Sequence, residues 1–129
     1  MNRRQARSIA LQALFQMSLS GTDERTAIEA ASEGKGSVDP YVDRLLAATT
    51  AHEQEIDRLI AKHLVNWSFE RIGNIDKTIL RLAVCEMCYF DDIPASVSIN
   101  EAVELCRTFS DEQSRKFVNG VLSSIEKEI

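Results

Sequence analysis

The sequence predicts an all-α protein. Apolar residues recur at the three- and four-residue intervals of helices along nearly the whole chain, and no segment shows a convincing strand alternation. Five glycines and two prolines interrupt 129 residues, of which 44% are hydrophobic and 27% charged, as in ordinary globular proteins. We expect about seven helices packed as two small bundles, in one domain (1–129) with subdomains of about 1–66 and 67–129.

Two helices are predicted before residue 33. The first covers residues 3–18, and Gly21 ends it because glycine readily adopts the backbone conformation that follows a helix. A short second helix is expected over about 23–32. The first helix has one broad apolar face. That face consists of Ala6, Ile9, Ala10, Ala13, Leu14 and Met17.

A loop and a longer helical stretch follow. The segment GKGSVDP (34–40) is the clearest loop in the chain. Asp39 can cap the next helix, while Pro40 suits its first turn, where a missing N–H has no cost. The helical pattern then runs to about residue 65, with an irregularity expected at the β-branched pair Thr49–Thr50.

The most apolar helix is predicted in the second half of the chain. The segment WSFERIGNID (67–76) reads as a hinge-like connection, and a helix of about 75–91 follows it. This helix is apolar almost all round, so it belongs in the middle of a bundle. The residues before Pro94 end it, because a residue that precedes proline disfavours helix.

Two further helices are predicted from their N-terminal sequences. Ser98–Glu101 and Ser110–Gln113 both fit the capping box, in which a serine and an acidic or amide residue satisfy each other's backbone amides. The helices that these boxes would open cover about 99–109 and 111–128, and both carry clean apolar stripes.

Positive charge is concentrated at the N-terminus. Arg3, Arg4 and Arg7 meet no acidic residue in the first twenty, although the net charge of the chain is −5. At about 100° per residue, the arginines lie beside the apolar face, with Phe15 further along that edge. Guanidinium groups bind phosphates and an aromatic ring stacks on a base, so single-stranded nucleic acid fits. A solvated terminus, with Phe15 packed on a neighbouring helix, is the other interpretation.

The cysteines raise a different possibility. Cys85 and Cys88 form a C-x-x-C pair in the middle of a predicted helix, where no helix N-terminus lowers a thiol pKa. A zinc site would need more ligands, and Cys106, His52 and His63 have no recognisable spacing. We expect free buried thiols and neither metal nor cofactor, with a thiol or metal protein as an unfavoured alternative.

No membrane or targeting segment is predicted. No window approaches the roughly 18 apolar residues that a membrane span needs. The apolar run behind the N-terminal arginines is interrupted by Gln12 and Gln16 and lacks a signal-peptide cleavage pattern. A cytoplasmic location is therefore expected.

The segment KFVNGVL (116–122) places a glycine inside a predicted helix. Glycine there costs about 1 kcal/mol relative to alanine, so another requirement must favour it. Two explanations are considered for Gly120: close packing of another helix, or the approach of a backbone or ligand from outside. Phe117, at the edge of the apolar stripe, is either core or surface.

Four segments together resemble the NusB family. They are RRQARSIALQALFQ (3–16), IDKTILRLAVCEM (75–87), DIPASVSINEAVEL (92–105) and KFVNGVL (116–122), in the family's order and spacing. The resemblance implies an all-α protein of two helical subdomains without catalytic activity. It also implies a transcription antitermination factor that binds the boxA element of nascent RNA together with the ribosomal protein acting as NusE. Other Nus factors and RNA polymerase at ribosomal RNA operons complete the implied assembly, and the free protein is a possible homodimer.

The resemblance also implies site residues. Phe15 stands where the family often has tyrosine. The phenylalanine keeps the ring that stacks but lacks the hydroxyl group. Gln5 occupies a position that is arginine in more basic versions of the motif, which suggests weaker RNA binding without the partner. The implied RNA-binding residues are Arg3, Arg4, Arg7, Phe15, Lys116, Phe117 and Asn119. The implied protein-partner residues are Asp76, Arg81 and Glu86.

Two other functions are weighed beside antitermination, and only the first stays open. One is a helical adaptor that binds only protein. The other is an RNA cytosine methyltransferase, since NusB-like domains also occur at the front of such enzymes. A chain of 129 residues leaves no room for the methyl-donor domain, so an enzyme is not expected.

Overall fold

The computed structural model describes residues 1–34 and 37–129, and within them it contains seven α-helices and no strand. The all-α prediction is confirmed. None of the described helices is long and apolar enough to cross a membrane. Lys35 and Gly36, in the predicted loop 34–40, lie outside the described residues. The helices are α1 (Arg3–Ser20), α2 (Glu24–Ala31), α3 (Pro40–Ala51), α4 (Glu53–Lys62), α5 (Asn74–Tyr89), α6 (Ala95–Phe109) and α7 (Glu112–Glu126), with a 3-10 turn at Phe69–Arg71.

Both ends of α1 are fixed by local sequence. The Asn2 side chain accepts a hydrogen bond from the Gln5 backbone N–H at 2.8 Å, and the Gln5 side chain accepts one from the Asn2 backbone N–H at 2.8 Å. The sequence pattern did not predict this capping box, because asparagine stands where the motif usually has serine or threonine. At the other end Gly21 has φ +67° and its N–H donates to the carbonyl of Met17, as predicted.

The chain divides into two compact units, Met1–Ala47 and Ala48–Ile129. In the first unit α1 packs against α2, and the predicted apolar face of α1 is buried except for half-buried Met17. Leu11 lies outside that predicted face, yet it is only 1% exposed. Its burial shows that the buried arc of α1 is wider than the predicted apolar face.

In the second unit α5 is the central helix. It packs against α4, α6 and α7, as its all-round apolar character predicted. Residues 78–80 and 82–86 of α5 are all buried, so no face of the helix between them is left to solvent. Val118, Val121, Leu122 and Ile125 form the buried stripe of α7.

Helix breaks lie close to their predicted places. The break between α3 and α4 falls at His52, two residues after Thr50, where an irregularity was expected. The His52 ring stacks on the Tyr89 ring with centroids 3.8 Å apart and planes 9° from parallel. This contact holds the break against the end of α5.

The two predicted capping boxes are wrong. Helix α6 begins three residues before Ser98, directly after Pro94, whose φ of −61° starts the helix early. Ser98 is therefore inside α6, where its buried hydroxyl donates to the Glu86 carboxylate at 2.8 Å. In α7 the cap is Asp111 and not Ser110: the Asp111 carboxylate accepts from the Ser114 N–H at 2.7 Å.

The division between the compact units falls inside α3, between residues 47 and 48, and α4 packs with α5 and α7 in the second unit. The subdomain boundary expected near residues 66–74 stays a prediction. The segment around Gly73 is thus a connection within one unit. A boundary inside a continuous helix changes neither composition nor helical period, so no sequence signal marks it.

Candidate nucleic-acid interface

A cluster of guanidinium groups surrounds one tyrosine in the first unit. The Arg3 guanidinium carbon lies 3.9 Å from the centroid of the Tyr41 ring, and those of Arg7 and Arg44 lie at 5.8 Å and 5.7 Å. All three distances are within the range of cation–π attraction. We call Arg3, Arg4, Arg7, Arg44 and Tyr41 the N-terminal arginine cluster.

The start of α3 places Tyr41 in this cluster. The Asp39 carboxylate accepts a hydrogen bond from the Tyr41 backbone N–H at 2.9 Å, while Pro40 is the first residue of the helix, as predicted. The Tyr41 side chain is 4% exposed, so packing also fixes the ring. Sequence reasoning missed Tyr41 and Arg44. The capped helix start was visible in the sequence, but its proximity to α1 was not.

The arginines differ in exposure. Arg3 and Arg4 are exposed, whereas Arg7 is only 6% exposed. An exposed guanidinium can offer its N–H edge to a phosphate, and two such groups on the first turn of α1 form a local cationic surface. Arg7, which was predicted to share that surface, instead lies beneath it.

Phe15 lies on α1 about 18 Å along the helix axis from Arg3. Its side chain is half-buried, in contrast to the fully buried Leu11 one turn earlier. An aromatic ring with part of its surface in water keeps a face on which a base can stack. The geometry thus admits both the stacking role and partial packing of the same ring.

On the second unit, α7 presents a solvent-facing polar strip. Lys116, Asn119 and Gly120 are all exposed. A Cβ placed on Gly120 would meet no described atom within 4 Å. The close helix packing that was considered for this glycine is therefore wrong. The approach of a backbone or ligand from outside stays a prediction.

Phe117 borders a cleft of about 300 Å³ in the second unit. Exposed Trp67 forms one wall, and the Arg71 guanidinium carbon lies 5.6 Å from the centroid of its ring. A half-exposed phenylalanine, a tryptophan and an arginine are the groups that stack on nucleobases. The cleft is lined by Val65, Trp67, Arg71, Ile72, Gly73, Asp76, Asp111, Gln113, Ser114 and Phe117.

Asp76 joins three elements of the second unit. Its carboxylate accepts hydrogen bonds from the Ser110 hydroxyl at 3.0 Å and from the Ser114 hydroxyl at 2.6 Å. The N-terminal turn of α5 is thereby tied to the junction of α6 and α7. Because Asp76 and Ser114 also line the cleft beside Phe117, these bonds fix one wall of that cleft.

The other two predicted partner residues also have contacts within the chain. Arg81 donates to both carboxylate oxygens of Asp57 at 2.8 Å, and these hydrogen bonds raise the pKa of its guanidinium. Glu86 is 2% exposed and bonded to Ser98. In this structure, therefore, Arg81 and Glu86 serve the packing of α5.

A sequence profile of the NusB family matches residues 4–127 of the chain. The chain belongs to the NusB family. Among its relatives, the transcription antitermination protein NusB of Bacillus velezensis is 50% identical over 129 residues, covering all of this chain and 98% of that protein. The protein of the same name from Bacillus subtilis is 49% identical with the same coverage.

Solved NusB structures have the same fold. A crystal structure of the antitermination factors NusB and NusE with double-stranded RNA matches with a TM-score of 0.87 at 31% identity, covering 98% of this chain and 97% of that one. T. maritima NusB matches with a TM-score of 0.86 at 33% identity, covering 99% and 92%. The resemblance in four short segments therefore extends to the whole NusB fold.

The cysteines of this NusB-family chain have the character of core residues. Cys85 and Cys106 are buried, and burial raises the pKa of the Cys106 thiol to about 12. Burial, followed by the nearby Glu128 carboxylate, also raises the pKa of half-buried Cys88. A raised pKa disfavours the thiolate that is the reactive form in redox chemistry and metal binding. Within the described residues, no group of three or more potential ligands is arranged to hold a metal ion.

The histidines also occupy structural positions. His52 stacks on Tyr89, as described above. His63 is hydrogen-bonded through Nδ1 to the Ser124 hydroxyl at 2.7 Å and through Nε2 to the Glu128 carboxylate at 2.9 Å. Both rings are thus used to join helices of the second unit.

Proposed function

We propose that this chain is a transcription antitermination factor that binds boxA-type single-stranded RNA together with the ribosomal protein acting as NusE. By this binding it promotes processive transcription of ribosomal RNA operons. The observation that carries the proposal is the N-terminal arginine cluster, where Arg3 and Arg4 are exposed on a chain of net charge −5. A local cationic surface on an acidic protein favours a specific polyanionic ligand over general attraction to nucleic acid.

RNA contacts are proposed on each compact unit, taken separately. In the first unit, Arg3 and Arg4 bind phosphates and the partly exposed face of Phe15 stacks on a base. Arg7 is buried, so it contributes charge and supports the Tyr41 ring from within. In the second unit, the proposed contacts are Lys116, Asn119 and, through its cleft, Phe117.

The partner surface is proposed on the second unit around α5. A ribosomal protein is typically basic, and an acidic body complements it electrostatically. Asp76 is half-buried and its carboxylate is bonded to two serines, while Arg81 and Glu86 hold neighbouring helices. Within this proposal, these three residues shape the partner surface, and the exposed residues around them make the contacts.

The proposed role is regulatory and includes no catalytic step or cofactor. It is carried out in the cytoplasm, in an assembly with RNA polymerase and other Nus factors. A homodimer of the free protein belongs to the same proposal.

Fluorescence anisotropy with a labelled boxA RNA, with and without the purified NusE partner, tests the proposal. The double variant Arg3→Glu/Arg4→Glu should lose RNA binding in both settings, because it replaces two phosphate ligands with repelling charges. Arg25→Glu is the matched control, since Arg25 is an exposed arginine of the same unit on α2. Circular dichroism should show unchanged helicity in both variants.

Two results would contradict the proposal. Equal RNA affinity of wild type and the double variant would remove the N-terminal arginine cluster from the site. Binding of NusE without any RNA binding would favour the protein-only adaptor. A duplex of the boxA sequence, used as a second probe, separates single-strand from double-strand preference.

A further inference from the structure

The three guanidinium groups around Tyr41 differ in their relation to its ring. Arg3 is the nearest, with its guanidinium carbon 3.9 Å from the ring centroid, while Arg7 and Arg44 lie almost 2 Å further away. Arg3 is also exposed, whereas the ring beneath it is buried. One cation of the cluster is therefore in contact with a fixed aromatic surface on one side and with water on the other.

We propose that Tyr41 is a positioning residue that holds the Arg3 guanidinium in place for an RNA phosphate. This inference rests on the proposed RNA-binding function. Tyr41 itself does not touch the RNA, because its side chain is 4% exposed. Its effect reaches the ligand through Arg3.

Stacking and phosphate binding use different parts of the guanidinium. The attraction to a ring acts on the flat face of the group, and its N–H donors point outward in the plane. A phosphate takes those in-plane donors, frequently two at once. Arg3 can therefore rest on Tyr41 and bind RNA at the same time.

The ring lowers the entropy that Arg3 must lose on binding. A free arginine side chain samples many rotamers, and fixing such a side chain at an interface weakens the affinity by a factor of about 2 to 12. Tyr41 is held by the Asp39 cap and by packing, so Arg3 is ordered before the RNA arrives.

Arg3→Lys separates this role from charge alone. Lysine keeps the positive charge but has no planar group to stack and no bidentate fork. We expect Arg3→Lys to weaken boxA RNA binding about two- to tenfold although it keeps the charge, and Arg3→Ala to weaken it further. Arg25→Lys, the same change at an exposed residue of α2, should leave the affinity unchanged. Wild-type affinity of Arg3→Lys would overturn the inference.

Variants of Tyr41 test whether the effect passes through Arg3. Tyr41→Phe keeps the ring and should keep the affinity, whereas Tyr41→Leu should weaken it. In the Tyr41→Leu background, Arg3→Ala should weaken RNA binding little further, because both changes remove the same contact between Arg3 and Tyr41. If the two losses multiply independently, Tyr41 is only a core residue and the inference fails. The comparison of Arg3→Lys with Arg3→Ala stands even when Tyr41→Leu does not fold.

A measurement without RNA tests the arrangement directly. In the NMR spectrum of the free protein, the δ-methylene protons of Arg3 should be shifted upfield by the ring current of Tyr41. The shift should persist in Tyr41→Phe, and random-coil values in the wild type would overturn the inference. If the wild type binds no RNA with or without NusE, the proposed function fails. If it binds and Arg3→Ala weakens it but Arg3→Lys does not, only the positioning role fails.

Discussion

At the scale of single residues, the angular position of a side chain on α1 does not by itself determine whether that side chain is exposed. Arg3 and Arg7 are one turn apart, yet the first is exposed and the second is 6% exposed. Helical spacing predicted that these arginines share one side of the helix, because the period fixes relative angles. It could not predict the burial of Arg7, nor the tyrosine beside it, because Tyr41 arrives from another helix.

Phe15 provides a test at this scale. Phe15→Ala should weaken RNA binding by about 1–3 kcal/mol if its exposed face stacks on a base. The loss of stability should be smaller than for a fully buried side chain, since the ring is only half-buried. RNA anisotropy and thermal unfolding measure the two effects separately.

Leu11→Ala is the matched comparison for Phe15. Leu11 is 1% exposed, so its truncation should cost about 2–5 kcal/mol of unfolding free energy while the remaining folded protein binds RNA normally. If Phe15→Ala behaves in the same way, with stability lost and RNA affinity kept, then Phe15 is a core residue.

At the scale of helices, Gly120 distinguishes the surface of α7 from its core. A glycine inside a helix with no atom near its Cβ position has no packing role among the described residues. Gly120→Ala should therefore raise the unfolding free energy by about 0.5–1 kcal/mol. The added methyl group should at the same time weaken binding of RNA or NusE, if either approaches closely at this position.

The control for this prediction lies on the same helix. Glu126→Ala changes an exposed residue of α7 that is not among the proposed contacts and adds no bulk near Gly120. Chemical denaturation and anisotropy of both variants measure the outcome. A more stable Gly120→Ala variant with wild-type binding of RNA and NusE would show that nothing approaches this glycine.

Helix starts show how far local sequence determines an element. Asp39 was correctly predicted to cap α3, because aspartate is favoured at the N-cap and proline at the first position of a helix. The pattern at Ser98 misled, since a serine three residues before a glutamate also occurs inside helices. There Pro94 starts the helix, and the buried partner of Ser98 is Glu86 on another helix. Contacts between helices leave no local signal of this kind.

The aspartate caps predict a dependence of stability on pH. Hydrogen bonds from the N–H groups of Thr26 and Ser114 lower the pKa of Asp23 and Asp111 below 3.8. A carboxyl with a lowered folded-state pKa stabilises the fold fully above its unfolded pKa, and this contribution disappears as pH falls through the folded pKa. The urea midpoint should therefore drop as pH falls below about 4.

The double variant Asp23→Asn/Asp111→Asn isolates the two caps. Asparagine also caps a helix but does not titrate, so the variant should lose part of the acid sensitivity and keep its helices at neutral pH. Urea titrations monitored by circular dichroism from about pH 6 to about pH 2.5 provide the comparison. An identical pH profile for variant and wild type would assign the acid sensitivity to other carboxyls.

At the scale of the whole molecule, helical spacing correctly predicted the class of the fold, whereas the ligand site expected from the uneven charge stays a prediction. The all-α class followed from helical spacing, and the central place of α5 followed from its apolar surface. The division at residue 47 could not be predicted, because it lies within α3. The cleft beside Phe117 could not be predicted either, since its walls come from two stretches that are distant in sequence, 65–76 and 111–117.

Charge on this scale also defines how the RNA is bound. A small cationic surface on an acidic protein makes few phosphate contacts, so the dependence of binding on salt should be shallow. Each contact with a single strand contributes about −0.7 to the slope of log K against log salt concentration. Phosphate contacts made by NusE contribute equally to the slopes of wild type and variant. The difference between the two slopes therefore reports on this chain alone.

The most direct test of the account is the salt dependence of boxA RNA binding by wild type and Arg3→Ala/Arg4→Ala, at saturating NusE. Loss of two phosphate contacts should reduce the magnitude of the slope by about 1.4. Parallel lines for the two proteins would contradict the account, because they would mean that neither arginine meets a phosphate.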